Sequence, residues 1–205
     1  MAEASVRVDV WSDFVCPWCF LASTSLDRLE SENKIEVIRH SYELRPKGSP
    51  PMPDALRQRI EAGRPQFEAM ALEHYGIKLT QGPFGVDSRT ALIGAKYAEE
   101  QGVGKAYHEA IYRAYWQDAR HIDQLDVLLD VAESTGLERE AFAAALETPA
   151  YLHLVLADIT QAQALGLQGV PAMIFAGKYL VSGAQPYAVL SKVADDVRER
   201  LATTS

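Results

Sequence analysis

Phe14-Val15-Cys16-Pro17-Trp18-Cys19 contains the only two cysteines of the chain, and its reading decides the fold. Ahead of it, Val6, Val8, Val10 and Phe14 alternate with Arg7, Asp9, Trp11 and Ser12 near the period of two of an extended segment. Pro17 then marks a helix start, because its fixed φ suits the first helical position and its missing N–H would have had no partner there. Cys16 is thereby predicted at a helix N-terminus. Residues at i and i+3 of a helix lie roughly 5–6 Å apart, inside the Cα separation of about 4.4–6.8 Å that a disulfide tolerates. The two sulfurs can therefore bond without moving the backbone.

The same placement assigns chemical roles. Orphan N–H groups and the positive end of the helix dipole stabilise a thiolate at the first turn, so Cys16 is the expected nucleophile and is expected to be exposed. Cys19, one turn deeper, is the expected resolving thiol that attacks the mixed disulfide formed at Cys16. Two other uses of such a pair are a zinc half-site and inert core packing. Zinc needs two more ligands, and the five histidines (His40, His74, His108, His121 and His153) show no paired spacing, so no metal is predicted.

With 205 residues and 48% hydrophobic composition the chain can bury a substantial core, as one domain or as one domain with an insertion. Two cysteines cannot form a disulfide scaffold. A net charge of -8 argues against a nucleic-acid partner. The first residues, Met1-Ala2-Glu3-Ala4-Ser5, lack the basic stretch and apolar core of a signal peptide, and the uncharged run from Thr160 to Gly177 is broken by Gln, Gly and Pro. A cytoplasmic protein without a membrane role is predicted, as a monomer or weak dimer.

Further along, Leu21, Leu26 and Leu29 mark the first helix and Ile35 to Leu44 a second strand, ended by Pro46 and Pro50-Pro51-Met52-Pro53. Helical pattern follows to about Gly166. It runs from Asp54 to Tyr75 with a break at Gly63-Arg64-Pro65, from Ser88 to Gln101, from Lys105 to Gln117, from an N-cap at Asp123 toward Gly136, and from Thr148-Pro149 with a stripe of Leu152, Val155, Leu156, Ile159 and Leu165. Ala172–Ala176 and Lys178–Ser182 read as an antiparallel hairpin turning at Gly177 or Gly177-Lys178, and Pro186 opens a last helix bearing Leu190, Val193, Ala194, Val197 and Leu201. Two strands at each end are too few for separate sheets. The expected fold class is α/β, one four-stranded sheet in residues 1–50 and 167–205 interrupted by a helical insertion over 51–166. Tyr107, Tyr112, Tyr115 and Trp116 could line an apolar cleft, although helix packing is the commoner use of such a stripe. Arg89 and His121 have no partner visible in the sequence.

This order, with C-x-x-C opening the first helix and Val170-Pro171 just before the hairpin, resembles the DsbA-like thioredoxin fold: a mixed sheet with flanking helices and a helical insertion. Ser12-Asp13-Phe14-Val15-Cys16-Pro17-Trp18-Cys19, Gly169-Val170-Pro171 and Val181-Ser182-Gly183-Ala184-Gln185-Pro186 are most similar to the FrnE-like branch of dithiol-disulfide isomerases. The resemblance implies a thiol-disulfide oxidoreductase acting on protein or small-molecule thiols and disulfides. It also implies a cis Val170-Pro171 bond facing the cysteines, with the free N–H and C=O of Val170 pairing an extended substrate. Pro17 and Trp18 join Val170 and Pro171 as expected substrate contacts.

One departure concerns proton transfer. Many thioredoxin-fold proteins carry a buried acid six residues before the nucleophile, where this chain has Val10. Either Asp9 or Asp13 takes that part, or the relay is missing. The Pro17-Trp18 insert adds no cation beside the Cys16 thiolate, which implies a moderate redox potential. No bound cofactor is expected beyond glutathione as a co-substrate. The same branch resembles 2-hydroxychromene-2-carboxylate isomerases and kappa-class glutathione transferases, which bind glutathione and typically carry serine at the position of Cys16. A glutathione-dependent isomerase or transferase is therefore the alternative, and a redox-gated binding module without turnover a third reading.

Overall fold

The computed structural model describes residues 5–46, 48–80 and 82–204, so the leaderless reading of Met1 to Ala4 lies outside the described residues. The fold divides into two compact units, residues 1–42 with 158–205 and residues 43–157.

In the first unit β1 (Val6–Ser12), α1 (Pro17–Ser31) and β2 (Ile35–Ser41) form the opening strand-helix-strand, and β3 (Ala172–Phe175), β4 (Tyr179–Ser182) and α8 (Tyr187–Thr204) close it. The sheet order is β2-β1-β3-β4. β1 runs parallel to β2 with Val6 opposite Ile35, and antiparallel to β3 with Trp11 opposite Ala172. β3 pairs antiparallel with β4, Phe175 opposite Tyr179. This is the four-stranded mixed sheet of a DsbA-like thioredoxin fold.

Alternation along β1 sends its residues to two different cores. Val6, Val8 and Val10 pack with Leu26 and Leu29 of α1, Met173 and Phe175 of β3, and Leu190, Ala194 and Val197 of α8. Trp11 faces the other way, into a cluster with Ala172, with Leu167 and with Ala162 from the last turn of α7 (Pro149–Ala164). Helices thus cover both faces, which is why Asp9 and Ser12 are buried beside the apolar residues of the strand. Arg39 of β2 ties the first face to α1 through Asp27 at 2.9 Å and Glu30 at 3.1 Å.

The hairpin turn differs from its expected form. Ala176 (φ 51°) and Gly177 (φ 66°) both adopt left-handed backbone, and Lys178 N–H returns to Phe175 O at 3.0 Å. Glycine was legible at the second position; an alanine paying the Cβ clash at the first was not.

The second unit is helical: α2 (Asp54–Tyr75), α3 (Arg89–Glu100), α4 (Gly104–Trp116), α5 (Leu125–Ser134), α6 (Arg139–Leu146) and most of α7. The break expected at Gly63-Arg64-Pro65 does not form, and α2 runs through Pro65. Proline removes one N–H and strands one carbonyl, and on a helix whose only fully buried residue is Ala71 solvent reaches that carbonyl. Gln124, not Asp123, precedes α5. The sequence reading missed α6, whose cap is Glu138, outside the short-side-chain set that usually signals a helix start; its carboxylate accepts from Glu140 N at 3.0 Å and Ala141 N at 2.5 Å. Of the expected stripe, Leu156 on α7 and Leu165 just past its end are exposed, while Ala162 is buried.

Tyr107, Tyr112, Tyr115 and Trp116 are all buried in this unit's packing. Tyr107 donates to Ala91 O and lies 5.6 Å from the Phe142 ring, and Tyr115 donates to Pro83 O. The fit is close: a Cβ on Gly94 would stand 2.5 Å from the Tyr107 hydroxyl and 2.6 Å from Phe142 Cζ. Arg89 has a partner invisible in the sequence, donating through Nε to one oxygen of Glu43 at 2.5 Å and through Nη2 to the other at 2.6 Å. His121 stands half-exposed, 3.7 Å from Asp123.

Candidate active site

The loop from β1 into α1 builds the site locally. Cys16 is the N-cap residue, with extended backbone (φ -94°, ψ 114°), and Pro17 follows as the first helical residue. The Cys16 carbonyl accepts from Cys19 N at 3.1 Å and Phe20 N at 3.2 Å, so the first turn is closed over it. Behind it, Cys16 N–H donates to Asp13 O at 3.1 Å and Val15 N–H to the Asp13 carboxylate at 3.2 Å. These bonds fix the entry of the helix before any tertiary contact is made.

Tertiary structure then brings Val170 to Cys16. The Val170–Pro171 peptide is cis, and the Cys16 thiol donates to Val170 O across 3.6 Å. Two expectations change here. Cys16 is not exposed: it is 3% accessible, against 1% for Cys19, because the loop before β3 lies over its sulfur. The Val170 carbonyl is not free either, since the thiol occupies it. Trp18 is 45% exposed and Pro17 partly so, which leaves the insert, rather than the sulfurs, on the surface.

Both cysteines are free thiols. Burial pushes the Cys19 thiol well above its ordinary range, and the hydrogen bond and charge shared with Cys16 push it further. Asp13 acts on the same sulfur in two senses: its carboxylate charge raises the thiol, and its backbone hydrogen bond lowers it. Cys19 therefore rests as a protonated thiol.

The family model for the DSBA-like thioredoxin domain matches residues 7–194. The chain belongs to that family. Its similarity extends to the uncharacterized protein YwbO of Bacillus subtilis, 27% identical over 202 residues that cover 96% of this chain and 99% of YwbO. Among solved structures, a probable DsbA oxidoreductase from Streptomyces coelicolor is 28% identical, with a TM-score of 0.78 over 93% of this chain and 89% of that one. A 2-hydroxychromene-2-carboxylate isomerase shares the fold at 22% identity, TM-score 0.82, over 97% and 99%. The cytosolic disulfide reductase DsbM of Pseudomonas aeruginosa shares it at 21% identity, TM-score 0.68, over 97% and 98%.

Within this DSBA-like domain the acid question narrows. Val10 is buried in the core against α1 and α8. Asp9 points to the opposite face, where burial works against its charge but hydrogen bonds from Arg7 and His40 hold its carboxyl below the usual range. Asp13, fully buried, is the acid beside Cys19. The sequence offered Asp13 beside Asp9 without separating them, because the direction each side chain takes is set by the fold. Among the described residues no three His, Cys, Asp or Glu side chains gather as a metal site, and no single helix is long and apolar enough to cross a membrane.

Proposed function

We propose that this protein is a dithiol-disulfide oxidoreductase in which Cys16 attacks and Cys19 resolves. The observation that carries the reading is the pair itself: one sulfur at a helix N-terminus against the Val170 carbonyl, the other a turn deeper and held as a thiol.

Cys16, as thiolate, attacks a substrate disulfide; a Cys16–substrate disulfide forms and the first substrate sulfur leaves as a thiolate that takes a proton from water. Cys19 must then lose its proton inside a site that excludes solvent. The Asp13 carboxylate is the acceptor at hand. The Cys19 thiolate attacks the Cys16 sulfur, the intramolecular disulfide forms, and the second substrate sulfur is released. Two electrons pass to the substrate, and the reverse sequence oxidises a dithiol. Substrate docks along Val170 and Pro171, exchanging the Cys16 contact on the Val170 carbonyl for a backbone N–H of its own, with the exposed Trp18 as an apolar contact.

A low-molecular-weight thiol is the reductant this reading expects. DsbM, a cytosolic disulfide reductase of this fold, has been solved with GSH at 24% identity and a TM-score of 0.65. Glutathione is accordingly the reductant we propose, and the cytoplasm the compartment. The likeness to the isomerase is one of fold, and the retained Cys16–Cys19 pair favours redox chemistry over glutathione-dependent isomerisation.

The test is a pair of variants. Cys16→Ser abolishes reduction of a disulfide peptide, and Cys19→Ser accumulates a mixed disulfide at Cys16 that mass spectrometry detects. Full reductase activity in Cys16→Ser would end this reading. A glutathione-dependent isomerisation untouched by Cys19→Ser, without disulfide reduction, would replace it with the alternative.

A further inference from the structure

On the sheet face away from α1 and α8, four charged groups form a chain. Arg7 Nε and Nη2 donate to the two Asp9 carboxylate oxygens at 3.1 and 2.7 Å. His40 Nε2 lies 2.9 Å from Asp9 Oδ1, and His40 Nδ1 lies 2.8 Å from Asp158 Oδ1. Asp158 Oδ2 accepts from Ser41 N–H at 2.8 Å. The side chains of Asp9, His40 and Asp158 are only 11–13% exposed. Arg39, next to His40 in sequence, turns to Asp27 and Glu30 on the other face.

A neutral imidazole has one N–H, so one of its two contacts would set a lone pair against a carboxylate oxygen. Only the imidazolium donates to both. With His40 protonated the formal charges of Arg7, Asp9, His40 and Asp158 sum to zero; without the proton these four groups sum to one negative charge in a nearly buried site.

The ring does more than balance charge. It stacks on Trp11, with centroids 4.3 Å apart and planes 12° apart. Trp11 donates its indole N–H to Asp158 O at 3.1 Å. Trp11 is also the cross-strand partner of Ala172, next to Pro171, and Val170 packs against its cluster.

We propose that His40 is a fixed imidazolium that clamps Asp158 to β1 and β2 and, through Trp11, positions the Val170–Pro171 loop. His40 is thus a positioning residue for substrate docking. This rests on the reading of that loop as the dock. The sign of its pH response follows from linkage. His40 holds its proton more tightly folded than unfolded, so its contribution is full below the unfolded value of about 6.5 and is lost as pH rises through the folded one. Asp9, held low, contributes fully above about 3.9 and loses its part as pH falls.

The first measurement is nitrogen-15 and proton NMR of the full chain's histidines across pH 5.5 to 8.5. Both His40 ring nitrogens are expected to keep imidazolium shifts through neutral pH, above the value of about 6.5 at which a model imidazole titrates. His40 titrating at that model value would overturn the clamp, whatever the enzyme's activity. The second is steady-state reduction of a disulfide peptide by His40→Gln and Asp158→Asn. KM is expected to rise about tenfold, the equivalent of one charge-assisted hydrogen bond, with kcat and the Cys16–Cys19 potential within about twofold. Wild-type KM should rise over the pH range in which the imidazolium signal fades, and KM of His40→Gln should not. An unchanged KM, or a moved potential, would overturn the positioning role. Should His40→Gln fail to fold, Asp158→Asn and the NMR titration still decide. Absence of any disulfide reduction by the wild type would sink the oxidoreductase reading instead, leaving the charge state to the NMR.

Discussion

The sheet unit and the helical unit keep their charges in opposite ways. In the sheet unit, polar contacts join residues far apart in sequence: His40 to Asp158, Lys34 to Ser191 at 3.0 Å, Cys16 to Val170. In the helical unit many ion pairs join near neighbours at the surface, such as Arg139 with Glu133 and Asp130, and Arg89 with Glu43 is a long-range exception. Local pairs on solvent-facing helices are screened and contribute little. Long-range pairs that are nearly buried fix where strands and loops sit. The Cys16–Cys19 pair and the Val170–Pro171 loop lie in the unit held by those long-range pairs.

The helical unit should then depend on its apolar packing. Phe142→Ala removes a fully buried ring packed against Tyr107 and Tyr97 and is expected to cost about 3–5 kcal/mol in chemical denaturation. The Cys16–Cys19 potential should stay unchanged; a shift in potential would break the contrast between the units.

In the sheet unit the next largest effect is on a rate. Asp13→Asn keeps an oxygen to accept from Val15 N–H but removes the carboxylate charge beside Cys19. Stopped-flow resolution of a preformed mixed disulfide should slow about a hundredfold at neutral pH and recover as pH rises. Wild-type resolution speed in Asp13→Asn would assign the proton to another acceptor.

Stability against pH gives a smaller effect. Cys19 binds its proton more tightly folded than unfolded, so the reduced protein keeps that contribution below the unfolded thiol value of about 8.5 and loses it above, by up to about 1.4 kcal/mol per pH unit. Denaturation of the reduced wild type from pH 8 to 10 should show the slope, and Cys19→Ala should lessen it. At the small end, Asp130→Asn breaks the exposed contacts to Arg120 and Arg139. It should leave the denaturation midpoint where it was.

What the sequence disclosed divides along the same line. The strands, the helix start at Pro17 and the cysteine pair were legible because period and capping are local properties. The partners of Arg89 and His40 were not, since Glu43 and Asp158 reach them only through the folded chain. Asp9 and Asp13 stood in the sequence as equal candidates; the pleat of β1 turned one toward Arg7 and His40, and the loop buried the other by Cys19. α6 was hidden by a glutamate serving as its cap. Burial of Cys16 was illegible for the same long-range reason, since its cover comes from Val170.

That cover bears on oxidative ageing. A thiol advances from sulfenic to irreversible sulfinic and sulfonic acids according to its exposure to peroxide. In the resting reduced protein Cys16 offers 3% of its surface and has its hydrogen directed at a carbonyl. The sulfur is shielded in storage, and under the docking proposed above it becomes vulnerable in the interval when a substrate chain draws the loop's carbonyl to itself.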